Sequence, residues 1–275
     1  MKIIHISDLH FPNHFGTEKL IDKIISHYKE DQVKPIVVCT GDILDTPSNN
    51  NSNYLEASKI LTRLKTNNFN VLICPGNHDL KKGGLKKRKQ IHANLIKFSR
   101  YYSPILPANS NIHGEEKNNL LEYPITHKYQ DHYFIGLNSM TYQPKSAKGM
   151  LGDEQLDRLE LEIKKIKETN EDPKIIIYLH HNPMKFHVDV RNIPDFGDRI
   201  ITNNLKLIDR TSFLKKIEGV NVLLFGHLHW NQRQEKFEDK YNINCIQLTG
   251  GSTTKVNQSW TEINTFDYST IEHAY

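Results

Sequence analysis

Short apolar runs alternate, in the first 75 residues, with longer stretches whose apolar residues recur at helical spacing. The runs at Lys2–Ser7, Pro35–Cys39 and Asn70–Cys74 predict β-strands, because they are continuous and rich in β-branched residues. Glu18–Lys29 and Tyr54–Lys65 carry apolar residues every three to four positions, which predicts amphipathic helices. This order predicts parallel strands joined by crossover helices, in a sheet that is covered on both faces.

The rest of the chain contains the same two kinds of segment at less regular intervals. Further strands are predicted at Leu120–Tyr123, His132–Leu137, Lys174–Leu179 and Asn221–Phe225, and further helices at Asp153–Lys167 and Leu205–Ile217. Short strands separated by turns are expected from residue 232 to residue 266. Since neither an internal repeat nor a linker rich in Pro, Gly or Ser interrupts the pattern, we expect residues 1–275 to form a single α/β domain.

Polar side chains with metal-binding or acid–base chemistry follow five of the predicted buried strands. These residues are Asp8 and His10, Asp42 and Asp45, Asn77, His78 and Asp79, His180 and His181, and His227 and His229. Ligand sites of open α/β sheets lie outside the carboxyl ends of the strands, so residues far apart in sequence are expected to meet in one crevice.

The residue types narrow the chemistry of this crevice. Carboxylate oxygens combined with imidazole nitrogens suit Mn, Fe or Zn better than Mg or Ca. One residue separates the members of the pairs Asp8/His10 and His227/His229, so in an extended chain both members point the same way. A glycine precedes Asp42 and Asn77 as well as His227, which predicts sharp backbone turns beside the site.

Taken in order, the five segments resemble the motifs of the calcineurin-like metallophosphoesterases. They read DLH at 8–10, GDILD at 41–45, GNHD at 76–79, HHNP at 180–183 and GHLH at 226–229. The segment GMLGDEQLDRL at 149–159 also resembles the start of a helix in the cyclic-nucleotide phosphodiesterase-like (class III) branch. The resemblance implies a four-layer α-β-β-α sandwich with two mixed sheets around a dinuclear metal centre.

The resemblance also implies a role for each motif residue. Asp8, His10 and His229 would hold the first metal, Asn77, His180 and His227 the second, and Asp42 would bridge the two. The expected cofactors are two metal ions, Mn and/or Fe with Zn as the alternative, which together activate a bridging hydroxide for attack on phosphorus. His78 would stabilise developing charge or protonate the leaving group.

Several neighbours of these motifs are candidates for orienting the ligands or contacting the substrate. Asp45 and Asp79 would accept hydrogen bonds from histidines, although Asp79 could equally cap the segment that follows it. His181 follows His180 directly, so we expect its side chain to diverge from the ligand and to support the site or face the substrate. His187 and Arg191 lie on the segment Met184–Arg199, which either sets specificity or is a surface connection without a role.

Bulk properties agree with an enzyme that acts on anions. The chain of 275 residues carries a net charge of +4, too small to imply nucleic-acid binding by itself. The basic segment Lys81–Lys89 is either a solvated surface or a clamp for a polyanionic substrate. Three cysteines in apolar runs predict free buried thiols, and neither a signal peptide nor a membrane span is evident, so we expect a cytoplasmic protein.

The sequence therefore predicts a metal-dependent hydrolase of a phosphodiester, with a cyclic or small nucleotide as the preferred substrate. A DNA or RNA nuclease is the first alternative, so nucleic acid is a conceivable but disfavoured partner, and a phosphomonoesterase or pyrophosphatase is the second. A binding scaffold without catalysis is disfavoured because all seven expected ligands and His78 are present.

Overall fold

The computed structural model describes residues 1–13, 16–47, 51–81, 88–107, 120–141, 148–183, 207–229, 233–234, 245–249 and 259–274. The strands are β1 (Lys2–Ile6), β2 (Ile36–Cys39), β3 (Asn70–Ile73), β4 (Ile125–Tyr129), β5 (His132–Gly136), β6 (Lys174–Tyr178), β7 (Val222–Phe225), β8 (Arg233–Gln234), β9 (Ile246–Thr249), β10 (Ser259–Asn264) and β11 (Thr270–Ala274). The helices are α1 (Gly16–His27), α2 (Ser52–Thr66), α3 (Asn77–Leu80), α4 (Arg88–Tyr102), α5 (Asp153–Thr169) and α6 (Arg210–Lys216).

The first sheet has the strand order β11-β10-β1-β2-β3 among the described residues. Strands β1, β2 and β3 are parallel, as the sequence predicts, and Ile3 pairs with Ile36, which in turn pairs with Asn70. Strands β10 and β11 are antiparallel to their neighbours and place the C-terminal segment beside β1. Because β1, β2 and β3 are in register, the motifs that follow them emerge at the same edge of the sheet.

The second sheet has the order β4-β5-β6-β7-β9-β8 within the part of the chain that the structure describes. Strands β5, β6, β7 and β9 run parallel, while β4 and β8 are antiparallel strands at its two edges. The motifs after β6 and β7 therefore also leave from one edge.

Side-chain alternation along the second sheet divides the interior into two buried clusters. Ile176 and Tyr178 belong to a central cluster that includes residues of the first sheet and of helices α1, α2 and α4. Ile175 and Ile177, which point to the other face, belong to a cluster formed with helices α5 and α6. The layers are thus helices, sheet, sheet and helices, and the predicted four-layer α-β-β-α fold with two mixed sheets is confirmed.

Four local features differ from the sequence-based predictions. Leu120–Tyr123 is not a strand: Leu121 and Tyr123 are buried, but the Leu121 amide donates to Ser99 Oγ (2.9 Å) instead of joining a sheet. The helix expected from residue 205 begins at Arg210, and neither β4 nor β11 was predicted. Apolar content identified the burial of Leu121 and Tyr123 correctly, whereas the backbone partner of this segment depended on the distant residue Ser99. No described helix is long and apolar enough to cross a membrane.

Candidate metal centre

The five polar segments meet where the carboxyl ends of the two sheets adjoin. The amide of His227, after β7 in the second sheet, donates to Asp8 Oδ2 after β1 in the first sheet (2.9 Å). His180 Nδ1, after β6, donates to the carbonyl oxygen of Thr40 after β2 (2.8 Å). These two hydrogen bonds join the sheets at the site, so the fold itself brings the predicted residues together.

Asp8, His10 and His229 form the first group of candidate ligands. His229 Nε2 lies 3.3 Å from Asp8 Oδ1 and 3.3 Å from His10 Nε2. The three ligand atoms lie within 4.8 Å of one another, and Asp8 and His10 are buried. Lone pairs of two imidazoles and a carboxylate therefore converge on one point, which is the arrangement that a cation requires.

His180 is at the centre of the second group. Its Nε2 atom lies 3.1 Å from Asn77 Oδ1, 3.0 Å from His227 Nδ1 and 3.2 Å from Asp42 Oδ2. The ligand atoms of Asp8, Asp42, His180 and His227 also lie within 4.8 Å of one another, so Asp8 belongs to both groups. The seven predicted ligands thus form one continuous cluster.

Each carboxylate of the cluster uses one oxygen for the backbone and presents the other to the imidazoles. Asp42 Oδ1 accepts a hydrogen bond from the amide of His78 (2.7 Å), while Asp42 Oδ2 faces His180. Asp8 is arranged in the same way, with Oδ2 bonded to the amide of His227 and Oδ1 facing His229. Fixing one oxygen orients the other, so these backbone bonds organise the donor set in advance.

Electrostatics at the cluster follow from burial and from the neighbouring charges. Burial alone would raise the pKa of Asp8 and Asp42, but nearby histidines hold both pKa values well below the usual range. Burial would lower the pKa of His180, yet Asp42 raises it to about 9. Burial and the adjacent His180 lower the pKa of His227 to about 3. Two buried carboxylates need compensating positive charge, and this donor set fits a pair of metal ions.

The paired motifs do not converge through extended backbone, as the i and i+2 spacing suggested. A left-handed conformation is adopted by Asp8 (φ 53°), His10 (φ 48°), Asp42 (φ 50°), His227 (φ 69°) and His229 (φ 59°). This region is uncommon for residues other than glycine, and Asp and His tolerate it better than β-branched residues do. Strained backbone of this kind concentrates at functional sites, where the surrounding structure maintains it.

Two of the motif glycines are required by close contacts rather than by a turn. A Cβ atom at Gly76 would lie 2.1 Å from Asp42 Oδ1, and one at Gly226 would lie 1.8 Å from Ser7 Oγ. Both contacts are far shorter than atoms tolerate, so the absence of a side chain allows the carboxylates to approach the backbone.

His78 is partly exposed at the edge of the cluster. Its Nδ1 atom donates to the carbonyl oxygen of Asp45 (2.6 Å), and its ring meets that of His10 edge-on at 4.8 Å. The hydrogen bond fixes the proton on Nδ1, so Nε2 is the atom available for chemistry. The carboxylate of Asp45 lies 3.8 Å from His10 Nδ1, which is too far for a hydrogen bond. Asp45 therefore orients a histidine, His78, through its backbone carbonyl and not through its carboxylate.

Among the described residues, the carboxylate of Asp79 accepts hydrogen bonds from backbone amides rather than from a histidine. Oδ1 accepts a hydrogen bond from the amide of Leu44 (2.9 Å) and Oδ2 from the amide of Gly76 (2.8 Å). These bonds tie the loop after β2 to the loop after β3, and residues 82–87 of the segment that Asp79 could have capped lie outside the described residues. Burial and the charge of Asp42 raise the pKa of Asp79 to about 7.

His181 is fully buried beside the second group, and one of its ring nitrogens lies within 4.8 Å of ligand nitrogens of His180 and His227. Its Nδ1 lies 2.7 Å from Ser139 Oγ, and its ring centre lies 4.6 Å from that of His227. Ser139, which sequence reasoning missed, also accepts a hydrogen bond from the His181 amide (3.3 Å). No local motif marks Ser139, because its relation to the site depends on the pairing of β5 with β6.

The remaining candidates lie outside the described residues. His187 and Arg191, the whole of Met184–Arg199, and positions 82–87 of the basic segment belong to this set. The carbonyl of Thr40, which orients His180, is a second contributor that side-chain motifs could not reveal.

Comparison with known proteins agrees with this geometry. The calcineurin-like phosphoesterase family matches residues 1–231, and the chain belongs to this family. A dimetal phosphatase structure from Danio rerio superposes with a TM-score of 0.58 at 11% identity, covering 95% of this chain and 91% of that one. This likeness supports the fold, and the family makes the chain a metal-dependent phosphoester hydrolase.

Two curated relatives represent different substrates. A probable glycerophosphodiester phosphodiesterase, GpdQ, of Arcobacter nitrofigilis is 27% identical over 84% of this chain and 75% of its own length. The DNA double-strand break repair protein Mre11 of Saccharolobus solfataricus is 31% identical, but over only 42% of this chain and 32% of its own length. The similarity to the phosphodiesterase thus extends over twice as much of the chain.

Proposed function

We propose that this protein hydrolyses a phosphodiester, with a cyclic or small nucleotide preferred, at a dinuclear centre. The observation that carries the proposal is the cluster of buried carboxylates and imidazoles at the junction of the two sheets. Asp8, His10 and His229 would hold one cation, Asn77, His180 and His227 would hold the other, and Asp42 would be shared by both. Oxygen and imidazole donors together favour Mn and/or Fe, with Zn as the alternative.

Two observations support Asp42 as the shared ligand. Its Oδ2 atom lies 3.2 Å from His180 in the second group. Its charge also raises the pKa of His10, in the first group, more than Asp8 does, although burial keeps that pKa low at about 4. Two cations at these donors would lower the pKa of a shared water and neutralise the phosphoryl oxygens.

His78 supplies the proton chemistry in this proposal. The carbonyl of Asp45 holds the ring through Nδ1, and the Asp42 carboxylate holds the His78 backbone. When the ring is protonated, Nε2 can donate a hydrogen bond to a phosphoryl oxygen or a proton to the leaving alkoxide. Partial exposure at the edge of the cluster is consistent with contact to a bound substrate.

A diester is preferred over other phosphoesters because of the relative with the broader match, the probable glycerophosphodiester phosphodiesterase. Nuclease activity is the second candidate, supported by the shorter match to the repair protein. Phosphomonoester or pyrophosphate hydrolysis has no support beyond the family itself. We also propose that the chain forms a single domain and that its partner is a small phosphoester.

Turnover of bis-p-nitrophenyl phosphate by metal-loaded and chelator-treated protein tests the reaction class. His78→Ala should lower kcat about 10²- to 10⁴-fold, as the loss of a general acid does, while bound metal stays unchanged. His92→Ala is the matched control, since His92 is an exposed histidine on α4. Equal turnover before and after complete metal removal would refute the proposed enzyme.

A panel of substrates tests the finer proposal. Cyclic nucleotides, glycerophosphodiesters, single-stranded DNA and monoesters should be ranked by kcat/KM under identical metal loading. A cyclic or small nucleotide should be hydrolysed fastest. If single-stranded DNA gave the highest kcat/KM instead, nuclease activity would replace the proposed hydrolysis of a cyclic or small nucleotide.

A further inference from the structure

A second cluster of potential metal ligands lies where α1 meets the β10–β11 hairpin. His27 is in the last turn of α1, Glu262 lies on β10 and His273 on β11. One ligand atom from each residue lies within 4.8 Å of the other two. The cluster shares no residue with the dinuclear centre, and none of the metallophosphoesterase motifs includes it.

Cross-strand pairing and aromatic packing hold the two histidines in place. His273 pairs with Trp260 across the hairpin, and the two rings stack at 4.8 Å with an interplanar angle of 10°. The ring of His27 meets that of His273 edge-on at 4.8 Å and lies 6.0 Å from Trp260. The indole and the hairpin register therefore fix the position of His273, and His27, which is exposed, packs against it from α1.

Glu262 provides a buried carboxylate in this cluster. Burial would raise its pKa, but hydrogen bonds from Tyr28 and Lys2 hold the pKa below its usual value. Lys2 Nζ lies 3.1 Å from Oε1, whereas Oε2 is on the side of Tyr28 and lies 3.9 Å from His273 Nε2. A carboxylate oxygen has more than one lone pair, so Oε2 can serve Tyr28 and a further partner together.

His273 has the properties of a ligand rather than of a cation in an ion pair. Its Nε2 atom is buried and forms no hydrogen bond to the described residues. Burial first, and His27 next, lower the pKa of His273. Metal ions bind neutral imidazole, and a buried nitrogen without a hydrogen bond carries a desolvation cost that a cation would offset.

We propose that His27, Glu262 and His273 form a binding site for one Zn²⁺ ion that clamps the C-terminal hairpin to α1. Two imidazoles and one carboxylate are a recognised zinc donor set, with water in the fourth position. An ion here would link a helix near the start of the chain to the strand next to its end. Lys2 opposes the ion by its charge, which makes the site one of moderate affinity.

Metal counting on the loaded enzyme tests the site. Protein with a filled dinuclear centre is dialysed against micromolar Zn²⁺, and total bound metal is measured. The wild type should hold one equivalent more than His273→Gln or His27→Gln, while His92→Gln, an exposed histidine of α4, should match the wild type. Equal total metal in the wild type and in both site variants would overturn the proposal.

A variant that gains affinity separates zinc binding from simple loss of structure. Lys2→Gln removes the competing charge, so Zn²⁺ should bind several-fold more tightly and raise Tm at lower zinc concentrations than in the wild type. This result cannot come from misfolding. Unchanged or weaker zinc affinity in Lys2→Gln would count against an ion bound at Glu262.

Trp260 reports on the location of the ion. The tryptophans of the chain are Trp230 and Trp260, so Trp230→Phe leaves a single fluorophore that stacks on His273. Cu²⁺, which binds the same donor types and quenches indole emission, should quench this protein at one equivalent, and Zn²⁺ should protect it. Adding His273→Gln should raise the apparent Kd of Cu²⁺ about tenfold or more. If that change left the quenching unaffected, the ion would be bound elsewhere and the assignment would be refuted.

Discussion

His127 provides the most direct quantitative test of the fold away from the metal centre. Its side chain on β4 is 1% exposed and lies opposite Phe134 of β5, which belongs to the central cluster. Neither ring nitrogen forms a hydrogen bond to the described residues. Burial therefore lowers the pKa of His127 from 6.5 to about 4. We expect His127→Leu, which is similar in volume and apolar, to stabilise the protein in acid.

The sign and size of the effect follow from proton linkage. The unfolded chain protonates this group near its ordinary pKa and the folded protein only near pH 4, so the unfolded state binds more protons between these values. The wild type therefore loses stability as the pH falls from about 6.5 to about 4. At about pH 5 the loss from this one group is about 2 kcal/mol, and at about pH 7.5 it is close to zero.

Urea denaturation of chelator-treated wild type and His127→Leu at both pH values measures this difference. Other titrating groups are common to the two proteins, so their contributions cancel in the comparison. His92→Leu is the control, because it removes an exposed imidazole of α4 and should leave the pH dependence unchanged. If the free energies of unfolding of wild type and His127→Leu changed in parallel between the two pH values, the reasoning from burial would be refuted.

Three further predictions concern residues that support the site or its surroundings. Asp79→Ala should weaken metal binding about 10- to 100-fold, because it releases two loop amides. Metal titration of turnover measures this affinity. Asp79→Asn, which keeps one acceptor, should have an affinity between those of Asp79→Ala and the wild type. Ser139→Ala should reduce metal affinity about tenfold through His181, whereas Ser99→Ala, which removes a comparable buried hydroxyl, should lower Tm without changing metal affinity. Asp209→Ala should destabilise the fold by about 1–3 kcal/mol, since its carboxylate accepts from two backbone amides before α5; a denaturation midpoint equal to that of the wild type would contradict this role.

The sequence by itself indicated which residues meet at the candidate metal centre and the strand topology that brings them together. Buried strands were recognisable from continuous apolar runs, and Asp, Asn or His followed each of the five that matter. Parallel strands in register send the following residues to one edge, so the pattern implied the cluster of Asp8, Asp42 and His180 before any coordinates. The two-sheet arrangement was expected only from the family resemblance that the ordered motifs carry, because the apolar pattern alone does not show which strands share a sheet.

Tertiary structure decided how the individual side chains act. The left-handed backbone at Asp8 and His229 replaced the extended geometry expected from spacing. Contacts from distant segments gave Asp79 its role between two loops and placed His181 on Ser139. The cluster of His27, Glu262 and His273 beside Trp260 likewise forms only because α1 packs against the β10–β11 hairpin, which is distant from it in the sequence. Local patterns encode burial and secondary structure, whereas hydrogen bonds and ligand geometry depend on which distant residues the packed layers bring within a few ångströms.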